Sequence, residues 1–88
     1  MPRYIIERNV EGLKLEDLAE AGKKSNEVLA ELKVVTWIRS YVSEAEGKIY
    51  CEYEAPDKEA VREHARLAGL PADRITEIAI EINPAMFQ

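Results

Sequence analysis

Cysteine, histidine, tryptophan and phenylalanine each occur once among these 88 residues. A single cysteine cannot close an internal disulfide, so nothing asks for an oxidising compartment and a cytoplasmic setting is expected. Positive charge is also short: 12 Lys and Arg stand against 17 Asp and Glu, for a net charge of −5. That balance argues against nucleic acid as a partner, because counterion release needs a basic surface. No apolar run approaches the roughly 20 residues that cross a bilayer, so no membrane partner is expected. The opening MPRYIIERN has neither the apolar centre nor the cleavage site of a signal peptide. Repeats and low-complexity segments are missing too. What is present is 47% apolar and 33% charged, which suits one globular domain over residues 1–88.

Hydrophobic periodicity divides the chain into six elements. Tyr4 to Arg8 is a short β-branched run between Pro2 and Asn9–Gly12, and both of its faces are partly apolar, as in a central strand. Leu15 to Leu32 has helical period, with Leu15, Leu18, Gly22, Ser25, Leu29 and Leu32 on one stripe. No capping residue stands just before Leu15. Gly22 costs about 1 kcal/mol in a helix interior, which implies close approach of another group. Val34 to Ser43 is the longest strand, with Thr36, Ile38, Ser40 and Val42 on one face and Trp37, Arg39 and Tyr41 on the other. A turn at Glu44–Gly47 leads to a strand from Lys48 to Ala55, whose inward set is Ile49, Cys51, Tyr53 and Ala55. Asp57 then caps a helix with Val61, His64, Ala65 and Ala68 inward, closed by Gly69 and Pro71. Ile75 to Ile82 alternates, with Ile78, Ile80 and Ile82 as the core set.

The order βαββαβ, with short connections and right-handed crossovers, predicts an α+β ferredoxin-like fold. Its four-stranded antiparallel sheet carries two helices on one face, in strand order 4-1-3-2. The layer between sheet and helices then receives Ser25, Ser40, Cys51, Tyr53 and His64, with Asn26 at its edge. Unsatisfied buried polar atoms cost about 1–3 kcal/mol each, so these groups are expected to share a pocket. Three uses are open. The groups can be a satisfied network in which Cys51 acts as a small hydrophobe. Cys51 and His64 can be metal ligands, since thiolate and imidazole suit nickel, copper and zinc. His64 can act as a general base. The opposite face carries Trp37, Tyr41 and Tyr50 among charged residues, including Glu7 and Glu52, and predicts a homodimer through sheet-to-sheet packing. Carboxylates clustered there could also hold a cation.

Several stretches together carry a family resemblance: YIIER, KSNEVL, W-x-x-SYV, YC-x-YEAPD, REHAR-x-AG-x-PADRI and a closing INP. The chain resembles a bacterial family long catalogued as a domain of unknown function and known for a nickel-binding, nickel-responsive member. The resemblance implies a ferredoxin-like dimer and nickel as the metal. It brings Ser25, Asn26, Ser40, Tyr53, Cys51 and His64 within family motifs, while ligand roles for Cys51 and His64 rest on donor chemistry. The sequence departs at Leu15, where the family commonly has Ser. The leading expectation is a small metal-binding protein, for sequestration or response, with Cys51 and His64 as ligands. Glu52 and Glu7 are weaker candidates on the other face, and strand phase keeps them out of a site with Cys51. The alternatives are a dimeric α+β-barrel enzyme acting on a small organic substrate through His64, and an interaction module without a ligand.

Overall fold

A computed structural model describes residues 1–12 and 14–88, apart from the side chain of Leu15, so that member of the expected helical stripe lies outside the described residues. The elements are β1 (Arg3–Asn9), α1 (Leu15–Leu32), β2 (Thr36–Ser43), β3 (Lys48–Glu54), α2 (Lys58–Ala68), β4 (Arg74–Ile78) and a closing 3₁₀ turn, Pro84–Phe87. The strands form one antiparallel sheet in the order β2-β3-β1-β4, the expected ferredoxin-like arrangement. β1 and β3 are its two central strands. No helix among the described residues is long and apolar enough to cross a membrane.

Local chemistry explains the boundaries. The start of α1 has no capping side chain ahead of it; instead the Asp17 carboxylate accepts from the Lys14 backbone N–H at 3.2 Å. Asp57 caps α2 as expected, accepting from the Ala60 N–H at 2.9 Å. Gly69 ends α2 at φ 68°, a left-handed conformation that costs a side-chain-bearing residue about 1–2 kcal/mol.

Central pairing fixes which residues face the helices, because partners opposite each other point to the same side. Tyr4 pairs with Tyr53, Ile6 with Cys51 and Arg8 with Ile49, and all six are buried. Val61, His64, Ala65 and Ala68 of α2 close over them, as the helical period predicts.

Two edge strands depart from simple alternation. In β2 the register slips between Trp37 and Arg39: Trp37 lies opposite Tyr53, yet Arg39 lies opposite Glu52. One extra residue, Ile38, is accommodated by that bulge. Trp37 therefore faces the helices, not the open side, and a Cβ on Gly22 would sit 3.7 Å from its ring. The group that approaches Gly22 is Trp37. Tyr41 and Tyr50 do lie opposite each other on the open side.

In β4, Ile75 pairs with Ile6 and Ile78 with Arg3. The inward residue is thus Ile75, while Ile78 points to the open face. Ile80 and Ile82 lie beyond the strand and are 75% and 64% exposed, so neither joins the core. Register with β1 overrides the Ile-x-Ile-x-Ile pattern, since a shift of one residue exchanges the faces.

Candidate ligand site between the sheet and the helices

The layer between sheet and helices gathers polar groups from five elements. Ser25 comes from the middle of α1, His64 from the inner stripe of α2, and Cys51 and Tyr53 from β3. Arg8 comes from β1, two positions on from Ile6 and in the same phase. Ser25 Oγ and His64 Nε2 are 2.9 Å apart, and both residues are buried. The Tyr53 and His64 rings lie with centroids 5.1 Å apart, tilted by 54°. The Arg8 guanidinium carbon is 5.8 Å from the centre of the Tyr53 ring. On the β2 side, Trp37 Nε1 donates to Ser40 Oγ at 2.9 Å.

These residues surround a cavity of about 400 Å³. Arg8, Ser25, Trp37, Ser40, Cys51 and Tyr53 all line it, together with apolar Val10, Leu18, Val42, Ile49 and Leu70. His64 is buried behind Ser25 and Tyr53 and is not among the lining residues. Asn26, expected at the pocket's edge, is exposed on α1. Cys51 is buried and free, with its backbone opposite Ser40.

Burial sets the charge state here. The His64 imidazole is pushed down to about 4, first by desolvation and then by the positive charge of Arg8, with a backbone contact to Ser25 acting the other way. It is neutral at neutral pH. Tyr53 is pushed up to about 12 by burial, with Arg8 pulling against the rise, so the phenol also stays neutral. Arg8 is 1% exposed, and its Nε, Nη1 and Nη2 have no hydrogen-bond partner. His64 Nδ1 is likewise buried without a partner.

The open face carries the other candidates. Glu52 is buried there and takes Arg3 at 2.9 Å and Arg39 at 3.8 Å. Glu7 takes Lys48 at 3.3 Å. Each carboxylate is already matched by a cation, and both sit across the sheet from Cys51 and His64. A groove of about 440 Å³ runs between Arg3, Ile5, Arg39, Tyr41, Glu52, Ile78, Ile80 and Glu81. Among the described residues, no group of three or more His, Cys, Asp and Glu is placed to hold a metal ion.

Comparison with known proteins adds the family. The profile of the SCO4226-like nickel-responsive proteins matches residues 4–78. This chain belongs to that family. A crystal structure of SCO4226 from Streptomyces coelicolor A3(2) is similar, with a TM-score of 0.82 and 26% identity. The match covers 91% of this chain and 99% of that one. No curated protein matches the chain. The family profile begins at Tyr4 and so includes Arg8, which a search for donor residues passes over. Its signal was the shared parity of Tyr4, Ile6 and Arg8 on a central strand, where a charge is out of place.

Proposed function

We propose that this member of the nickel-responsive family is a small binding protein that takes nickel or another divalent transition metal, with Cys51 and His64 as donors. The family description supports the metal. The observation that carries the donor assignment is His64 Nδ1, a buried ring nitrogen with no partner. A neutral imidazole and a thiol are together a donor pair that suits a borderline-soft ion.

Among the described residues, this layer brings no Asp or Glu to join these two donors, because the carboxylates Glu52 and Glu7 are engaged by cations on the other face. Nickel held by this layer therefore needs further donors from outside the chain, and Ser25, Ser40 and Tyr53 would contact whatever brings them. The same reading includes a cytoplasmic setting and a homodimer through the open sheet face. Half-buried Ile5, Tyr50 and Ile78 and the mixed charges of Arg3, Arg39, Glu52 and Glu81 favour a self-complementary partner there. Trp37 has no part in that face. The enzyme reading gains little, since a general base works best near the operating pH and His64 is held far below it.

Equilibrium dialysis against nickel tests the proposal. Bound metal in the parent that falls in both Cys51→Ala and His64→Ala supports it. Unchanged stoichiometry in both variants removes the site, and no uptake by the parent removes the function.

A further inference from the structure

We propose that the cavity between the sheet and the helices is a binding site for a small organic monocarboxylate, with Arg8 holding the carboxylate and the apolar wall holding the rest of the molecule. The proposal does not depend on the nickel reading.

Arg8 is the reason. It sits on a central strand at 1% exposure, lines the cavity, and none of its three side-chain nitrogens has a partner. Among the described residues no carboxylate pairs with it; the nearby acids Glu7 and Glu52 point to the other face and are matched by Lys48 and Arg3. Lysine in this position could shed its proton, but a guanidinium cannot. A positive charge is therefore fixed in an apolar chamber, where an unpaired ion is costly. The Tyr53 ring offsets part of that cost from 5.8 Å and supplies no counter-charge. An anion in the cavity would complete the site.

The cavity also limits the anion. Its volume, about 400 Å³, falls within the range of small-molecule sites. Val10, Leu18, Trp37, Val42, Ile49 and Leu70 make most of the wall apolar. One fixed charge balances one negative charge, so a monoanion is preferred to phosphate, which would bring nearly two. The planar fork of Arg matches a carboxylate through two parallel bonds. The hydroxyl of Ser40, which accepts from Trp37, keeps its own proton to donate to the ligand, and Ser25, bonded to His64, has one further hydrogen-bonding position.

The test uses the full chain with a metal chelator present throughout, so that failure of nickel binding has no bearing on it. Calorimetric titration is run with a series of monocarboxylates from acetate through 3-methylbutanoate to benzoate, with benzamide and inorganic phosphate as controls. The expected result is saturable binding of one 3-methylbutanoate or benzoate per chain, with acetate weaker and benzamide weaker by about 10-fold or more. Arg8→Leu, shown to be folded by circular dichroism, should weaken benzoate by about 10- to 100-fold, the scale of a charge-assisted pair. If that variant does not fold, Arg8→Lys decides, and unchanged affinity there overturns the role of the fork. The proposal is also overturned if no acid binds, if benzamide or phosphate binds as well as benzoate, or if folded Arg8→Leu retains the parent affinity.

Discussion

Acid should unfold this protein through His64. The ring is fully buried, bonded to Ser25 at 2.9 Å, and held neutral with its pKa pushed down to about 4 from an ordinary 6.5. In the unfolded chain the same ring takes a proton as pH falls below 6.5. Between the two values the unfolded state binds more protons, so stability is full above 6.5 and is lost as pH falls through that window. The loss is about 2 kcal/mol by pH 5 and about 3 kcal/mol by pH 4, after which this contribution levels off. For a domain of this size either figure is a large part of the total. Urea unfolding followed by circular dichroism at several pH values measures it. His64→Gln, whose side chain does not titrate, removes the contribution of other groups by difference. The parent should lose about 2 kcal/mol more than the variant between pH 7 and pH 5. Equal losses in the two proteins would refute the account, and a parent gaining stability on acidification would reverse its sign.

Other substitutions test the packing. Ser25→Ala leaves His64 Nε2 without its partner and should cost about 1–3 kcal/mol in urea unfolding at neutral pH. Gly22→Ala places a methyl at ordinary contact distance from Trp37, 3.7 Å, and should raise the melting temperature through about 1 kcal/mol of helix propensity. Gly22→Leu should lower it by driving the Trp37 ring aside, with a visible shift in tryptophan emission. Asp57→Ala removes the α2 cap and should cost about 1 kcal/mol, read by the same denaturation.

The sequence made the helices and the central strands legible because each has an unbroken period and a one-sided core. Asp57, Gly69, Val61 and His64 fall where capping and helical spacing place them, and Cys51 and Tyr53 fall where alternation in β3 places them. Edge strands are different. Trp37 changes face because one extra residue is absorbed at Ile38, and alternation carries no record of a bulge. Ile78 changes face because β4 takes its phase from β1, a pairing between residues far apart in the chain. Arg8 is the third case. An arginine ending a short apolar run looks like the point where a strand meets solvent, but Arg8 pairs with Ile49 of β3 and is buried at 1% exposure instead. Its parity with Tyr4 and Ile6 was readable; its lack of a partner required three dimensions.

That buried charge also bears on how the proposed metal could enter. Two ring contacts, 5.8 Å from Arg8 to Tyr53 and 5.1 Å from Tyr53 to His64, keep the guanidinium within about 11 Å of the imidazole. At an effective dielectric of about 20, a divalent ion at that range is opposed by about 3 kcal/mol or more, a factor of roughly 100 in affinity. A bare ion would therefore bind weakly beside His64. A carboxylate on Arg8 cancels the opposing charge and offers carboxylate oxygens to a layer whose own oxygens, among the described lining residues, are hydroxyls. Nickel affinity should then rise when benzoate is present, and by linkage benzoate affinity should rise by the same factor when nickel is present. Arg8→Leu separates the two ligands, strengthening bare nickel while weakening benzoate. Paired titrations of parent and variant measure all four quantities. Should Arg8→Leu weaken both ligands alike, or should nickel bind the parent equally with and without benzoate, the metal does not share this layer with Arg8.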